Sequence, residues 1–132
     1  MPLRSLNRID PDTMVWVSAG VHLGWAHALL LTPHLFESLP IYSLFARLMP
    51  TAHWALACLA IGVLLLLGLR WRTILPVAHF ASFLLLTLMA LVFYAPNGVN
   101  TASNAYAWIG LLSALSYSKE LARLLRLRRQ RV

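Results

Sequence analysis

The chain has 132 residues, 60% of them hydrophobic and 11% charged, with a formal net charge of +7. Soluble domains carry roughly 25% charged residues, so this composition excludes an ordinary water-soluble fold and turns the basic excess from nucleic acid toward a membrane surface. The single cysteine, Cys58, lies inside an apolar run, which excludes an internal disulfide and offers no metal-ligand spacing.

In chain order, residues 1–12 form a polar tail bearing Arg4 and Arg8, and Asp10-Pro11-Asp12-Thr13 supplies a helix start. The first apolar segment runs from Met14 to Leu31 and predicts a span over 13–33. Its Ala26-His27-Ala28 has the outline of a signal cleavage site. Leu29, Leu30 and Leu31 continue where a polar mature start belongs, so the segment reads as an uncleaved helix. Pro33 and Pro40 then break the chain. Between Pro40 and Pro50, Ile41, Leu44, Phe45 and Leu48 recur at helical spacing with Ser43 and Arg47 opposite, which predicts a short helix lying in the interface.

The second apolar segment, His53 to Leu69, predicts a span over 51–69, and Arg70-Trp71-Arg72 leaves room only for a tight turn. The third, Ile74 to Ala95, predicts a span over 73–95. Pro76 falls in its first turn, where the missing N–H is tolerated, and Pro96-Asn97-Gly98 closes it. The fourth, Ala105 to Ser118, is short in strictly apolar terms and becomes a span when extended over 101–121, with Asn100, Thr101, Ser103 and Asn104 as capping residues. Residues 122–132 are a basic amphipathic tail continuous with that helix, with Leu121, Leu124 and Leu125 on one face and Arg123, Arg126 and Arg129 around the other.

A helix crosses a roughly 30 Å hydrocarbon core in about 20 residues, and lipid obliges the backbone to satisfy its own hydrogen bonds. The expected fold class is therefore an all-α membrane protein: four transmembrane helices in a small bundle over 13–125, with a short interfacial helix between the first two and no second domain. With four crossings, Arg4, Arg8, Arg70, Arg72, Lys119, Arg123, Arg126, Arg128, Arg129 and Arg131 share one side, against Arg47 alone on the other. The positive-inside rule then places both termini in the cytoplasm of a bacterial-type inner membrane, with the tail against anionic inner-leaflet headgroups. Trp16, Trp71 and Tyr117 fall at the expected inner boundary, and Trp54, Tyr94, Tyr106 and Trp108 at the outer one, as a two-sided aromatic belt.

Five histidines are the most distinctive set. By helical rise, His22 and His79 lie roughly 13 Å and 9 Å from the inner boundary, at depths that can face each other. Ionisable groups at such depth mark function or costly packing. Bis-histidine haem or a metal ion is one reading for His22 and His79, a proton relay another, and hydrogen-bonded packing the third. His22 and His27 point roughly 140° apart around their helix and cannot serve one site. Gly20-x-x-x-Gly24 permits close helix contact, within the chain or between copies. No carboxylate pair, Ser-His-Asp set, HExxH or glycine-rich phosphate loop occurs, so no enzyme and no resident cofactor are expected. The expected function is that of a small non-enzymatic polytopic inner-membrane protein. It would self-assemble or act as an accessory subunit, including a holin-like pore from a phage or mobile element. The alternatives are a haem or redox subunit and a small transporter or channel subunit.

Overall fold

The computed structural model describes residues 11–130. Arg4, Arg8, Asp10 and Arg131, with their assigned roles in topology and capping, lie outside the described residues. The described chain is helical throughout: α1 Pro11–Leu31, α2 Leu35–Ser38, a 3-10 turn Pro40–Tyr42, α3 Ser43–Leu48, α4 Thr51–Arg70, α5 Leu75–Asn97 and α6 Thr101–Arg129. Three of these, α1, α4 and α5, are long and apolar enough to cross a membrane. The fourth long helix, α6, has 29 residues but mixes serine, asparagine and basic residues into its apolar surface.

Local chemistry sets the helix ends. Asp12 sits in the first turn of α1, where a carboxylate complements the helix dipole. After α1, Pro33 prevents continuation, and Thr32 caps back onto the Ala28 carbonyl through both its N–H and its hydroxyl. Pro76 opens α5, and Gly98 closes it at φ +65°, donating its N–H to the Tyr94 carbonyl at 2.7 Å. A capping box starts α6. Ser103 N–H donates to Asn100 Oδ1 at 2.9 Å, and Asn100 N–H donates to Ser103 Oγ at 3.0 Å. Asn100 Nδ2 also donates to the Phe93 carbonyl at 3.2 Å, tying the start of α6 to the end of α5.

The long helices alternate in direction. Side-chain pairs fix the register of α5 against α6: Phe93 stacks on Tyr106, Ser82 meets Ser113, and Phe80 lies against Tyr117. The fold is built of two close pairs, α1 with α4 and α5 with α6, while α1 and α6 touch sparsely. Gly62 admits Leu23 of α1 against the α4 backbone, Gly68 admits Leu75 at the tight turn, and Gly110 sits against Leu86 and Thr87.

Two apolar clusters form the core. One joins Ala26, Leu29, Phe36, Phe45, Trp54, Cys58, Leu86, Met89 and Phe93 at the end where α2 and α3 lie. The other joins Val15, Ala19, Leu65, Leu75 and Ala78 toward the opposite end. On α1, His22 falls between them, and on α5, His79 and Ser82 do so.

Two expectations change. The segment after Pro40 does hold a short helix, α3, but a 3-10 turn precedes it. Pro40 and Pro50 leave room for a 3-10 turn and six helical residues, and the faces divide: Phe45 is 0% exposed whereas Leu48 is 52% exposed. Phe45 points into an aromatic cap with Phe36, Tyr42, Trp54 and Phe93, at centroid distances of 4.9 to 6.1 Å from each. Nor do Trp54 and Tyr106 belong to an outward-facing belt. Trp54 is buried and donates its indole N–H to the Phe45 carbonyl at 3.2 Å, and Tyr106 accepts one from Trp25 at 2.7 Å. Trp54 buries its ring fully and Tyr106 in part, and each bonds its polar tip inside the fold. Trp16, Trp71, Tyr94 and Trp108 do remain exposed.

Candidate functional site: a buried histidine and serine core

The polar core is assembled by helical spacing on three helices. Ser18 and His22 are four residues apart on one face of α1, His79 and Ser82 three apart on one face of α5, and Ser113 comes from α6 opposite Ser82. All five are buried. The groups connect in sequence: His22 Nε2 lies 2.9 Å from Ser82 Oγ, Ser82 Oγ lies 3.1 Å from Ser113 Oγ, and Ser113 Oγ lies 3.4 Å from Ser18 Oγ. The chain of hydroxyls thus leaves α1 at His22, crosses α5 and α6, and returns to α1 one turn away.

Two atoms are left over. His22 Nδ1 and His79 Nδ1 are enclosed and make no hydrogen bond. A buried polar atom without a partner costs about 1–3 kcal/mol, which makes the two imidazoles a costly way to fill space that leucine would fill. Chemically the core can hold or pass a proton, since imidazole has a nitrogen on each side of its ring and each hydroxyl both donates and accepts.

It does not fit a haem as packed. The His22–Ser82 bond brings α1 and α5 into direct side-chain contact, leaving no slot for a macrocycle, and His22 Nε2 is already engaged. Among the described residues, no three His, Cys, Asp or Glu side chains group as a metal site. His27, His34 and His53 stand apart from the core on exposed positions, His34 beside Glu37 at 3.2 Å.

The other sequence-derived positions lie elsewhere. Gly20 and Gly24 meet nothing in their own chain: a Cβ at either would have no neighbour within 4 Å. They line a groove of about 700 Å³ between α1 and α6, with Ala28, Ala102, Ala105 and Ile109 among its walls. Arg70 is exposed at the end of α4, and Arg72 pairs with Asp12 across the same end of the fold. Lys119, Arg123, Arg126, Arg128 and Arg129 are all exposed on the last turns of α6. Sequence reasoning passed over Glu120, which is 6% exposed and accepts from Arg123 at 3.5 Å. Its signal was the seven-residue spacing from Ser113, which puts both on one face of α6.

Comparison with protein-family models, with characterised proteins and with solved structures finds no match for this chain.

Proposed function

We propose that the chain is a four-pass inner-membrane protein with both termini cytoplasmic, and that it acts without catalysing a reaction, by assembling with copies of itself. The groove between α1 and α6 carries this reading. Gly20 and Gly24 present bare backbone there, and the chain itself packs nothing against them. In lipid, helices associate through close packing at small residues, and such a groove loses dispersion contacts until a second helix fills it. Use of α6 as the fourth span is supported by its antiparallel run along α5 and by Ser113 buried toward both α1 and α5. The charge count supports the orientation: ten basic residues fall on one side under this topology.

Native mass spectrometry of the detergent-solubilised chain tests assembly. A dimer or higher species is expected, and Gly20→Leu with Gly24→Leu should convert it to monomer. A wild-type chain that is monomeric at all concentrations removes the reading. A pore-forming, holin-like assembly adds abrupt loss of membrane potential on controlled expression; an accessory subunit leaves growth normal.

One observation favours a second reading, a small transporter or channel subunit that moves protons: the unbroken His22–Ser82–Ser113–Ser18 chain with unpartnered imidazole nitrogens beside it. Proton flux into reconstituted vesicles should then fall in His22→Ala and His79→Ala. Equal flux in wild type and both variants rejects it. A haem or redox subunit is the reading least supported by this packing, and a Soret band in the purified protein would restore it.

A further inference from the structure

The last turns of α6 carry more than a diffuse positive charge. Lys119, Arg123, Arg126 and Gln130 fall within about 60° of one another around the helix. Together with Ala122 and Leu127 they border a cleft of about 420 Å³. Arg128 points to the opposite face, roughly 160–180° from Arg126 and Lys119, and Arg129, about 60° from Arg126 and 80° from Lys119, does not line the cleft. Arg123 is held in place from the bundle side, where Glu120 accepts from its Nη1 at 3.5 Å. Three cations and that one carboxylate leave a formal +2 around the cleft.

The position of the cleft along the helix is equally specific. By the register that sets Phe80 against Tyr117, α5 begins near Ala122, so the turns that follow reach beyond the helical pairs. The aromatic pair Phe80 and Tyr117 and the exposed Trp71 mark the level just inside, where amphipathic rings settle at the base of the headgroup layer. Under the four-span topology proposed above, this cleft along α6 would open at headgroup depth, with Ala122 and Leu127 flanking the cations. Leu121 and Leu124 are partly buried on the opposite side of the helix, which leaves the basic face free.

We infer that Lys119, Arg123 and Arg126 form a discrete binding site for the phosphates of an anionic phospholipid headgroup, one lipid per chain. The shared chemistry is a phosphate oxyanion held by two guanidinium groups and an ammonium; the source is lipid, because the cleft borders apolar side chains at the membrane surface. A headgroup with two phosphodiesters matches the +2 best, a single phosphodiester less well, and a zwitterionic headgroup least. The inference rests on the proposed cytoplasmic C-terminus, and it goes further by replacing a general attraction to the inner leaflet with a stoichiometric site.

The experiment is native mass spectrometry of the full chain in detergent. It is titrated separately with diphosphatidylglycerol, phosphatidylglycerol, phosphatidylcholine and inorganic phosphate. One diphosphatidylglycerol per chain should bind first and survive detergent exchange, followed in strength by phosphatidylglycerol. Inorganic phosphate at millimolar concentration should not displace it. The variant K119Q/R123Q/R126Q should weaken this binding at least about tenfold, whereas R128Q/R129Q, which removes two charges outside the cleft, should change it by less than about twofold. Equal losses in the two variants, or no loss in the first, would overturn the site in favour of diffuse electrostatics. Displacement by inorganic phosphate would overturn the lipid assignment. A C-terminal topology reporter separates the two claims. Weak binding with a cytoplasmic reporter rejects the site alone, and tight, variant-sensitive binding with an external reporter supports the site while rejecting the cytoplasmic C-terminus.

Discussion

Helix α1 meets its neighbours in two different ways. Toward α4 it is closely packed: Leu23 seats against Gly62, where an added Cβ would stand 2.7 Å from the leucine Cδ2. Toward α6 it stands off, and Gly20 and Gly24 line an open groove. The residue types are the same and the consequences opposite. A glycine pair at four-residue spacing drew attention in the sequence, yet the glycine that closes the fold is the lone Gly62 on the neighbouring helix. Close approach depends on what the partner offers, here a leucine, and not on the spacing of glycines along one helix. The polar core forms a separate seam on the far side of α1: Ser18 and His22 point about 160° from Gly20 and Gly24, with Ser18 meeting Ser113 of α6 and His22 meeting Ser82 of α5.

The largest way to break this contrast is to overfill the close side. Gly62→Leu should force α1 from α4 and lower stability by about 1–3 kcal/mol, read as an earlier thermal unfolding transition in detergent. Gly24→Leu should leave that transition of the monomer nearly unchanged. If both substitutions destabilise equally, the groove is not open. Next comes the polar side. Ser82→Ala removes the hydroxyl that joins His22 to Ser113 and should cost about 1–2 kcal/mol, within the range for interhelical bonds in membranes. Its discriminating mark is faster hydrogen exchange in α1 and α6 together, since both lose a partner. A change confined to α5 would mean that the serine chain does not hold the seam. The smallest effect tests the far end of α6. Asn100→Ala should remove the half of the capping box in which its Oδ1 accepts from Ser103 N–H, together with its bond to the Phe93 carbonyl, at about 1 kcal/mol, and speed exchange of the first turn of α6 while the α1 and α4 pair stays protected.

Much of the fold was legible along the chain, for identifiable reasons. The apolar runs predicted four long helices, near 13–33, 51–69, 73–95 and 101–121, and the structure places helices at Pro11–Leu31, Thr51–Arg70, Leu75–Asn97 and Thr101–Arg129, the first three of them apolar enough to cross a membrane. The shifts at their ends follow proline: Pro33 stops α1 early, and Pro76 starts α5 within one residue of itself. The Asn100 cap was readable because Asn and Ser three residues apart satisfy each other's backbone N–H without outside help. The short helix after Pro40 was legible, but periodicity treats Ile41, Phe45 and Leu48 as equivalent, whereas only Phe45 of the three finds aromatic partners from α4 and α5. Trp54 and Tyr106 were assigned to a belt by their depth alone, and depth does not say which way a ring faces.

The candidate site divides in the same way. His22 and His79 stood out in the sequence because ionisable residues interrupt apolar runs, and their depths could be counted from helical rise. Ser82, Ser113 and Glu120 carry no comparable signal along the chain. Their roles depend on the antiparallel register of α5 and α6, which sets which hydroxyls meet and which carboxylate is covered. Composition, hydropathy and proline positions by themselves determined that the chain is helical, that three helices are apolar enough for a membrane, and where each ends, because those properties are local to the backbone and its solvent. The tertiary structure alone decided which face of α1 closes and which stays open, and which serines complete the histidine. Those outcomes depend on side chains brought together from distant parts of the chain, and no single helix carries that information.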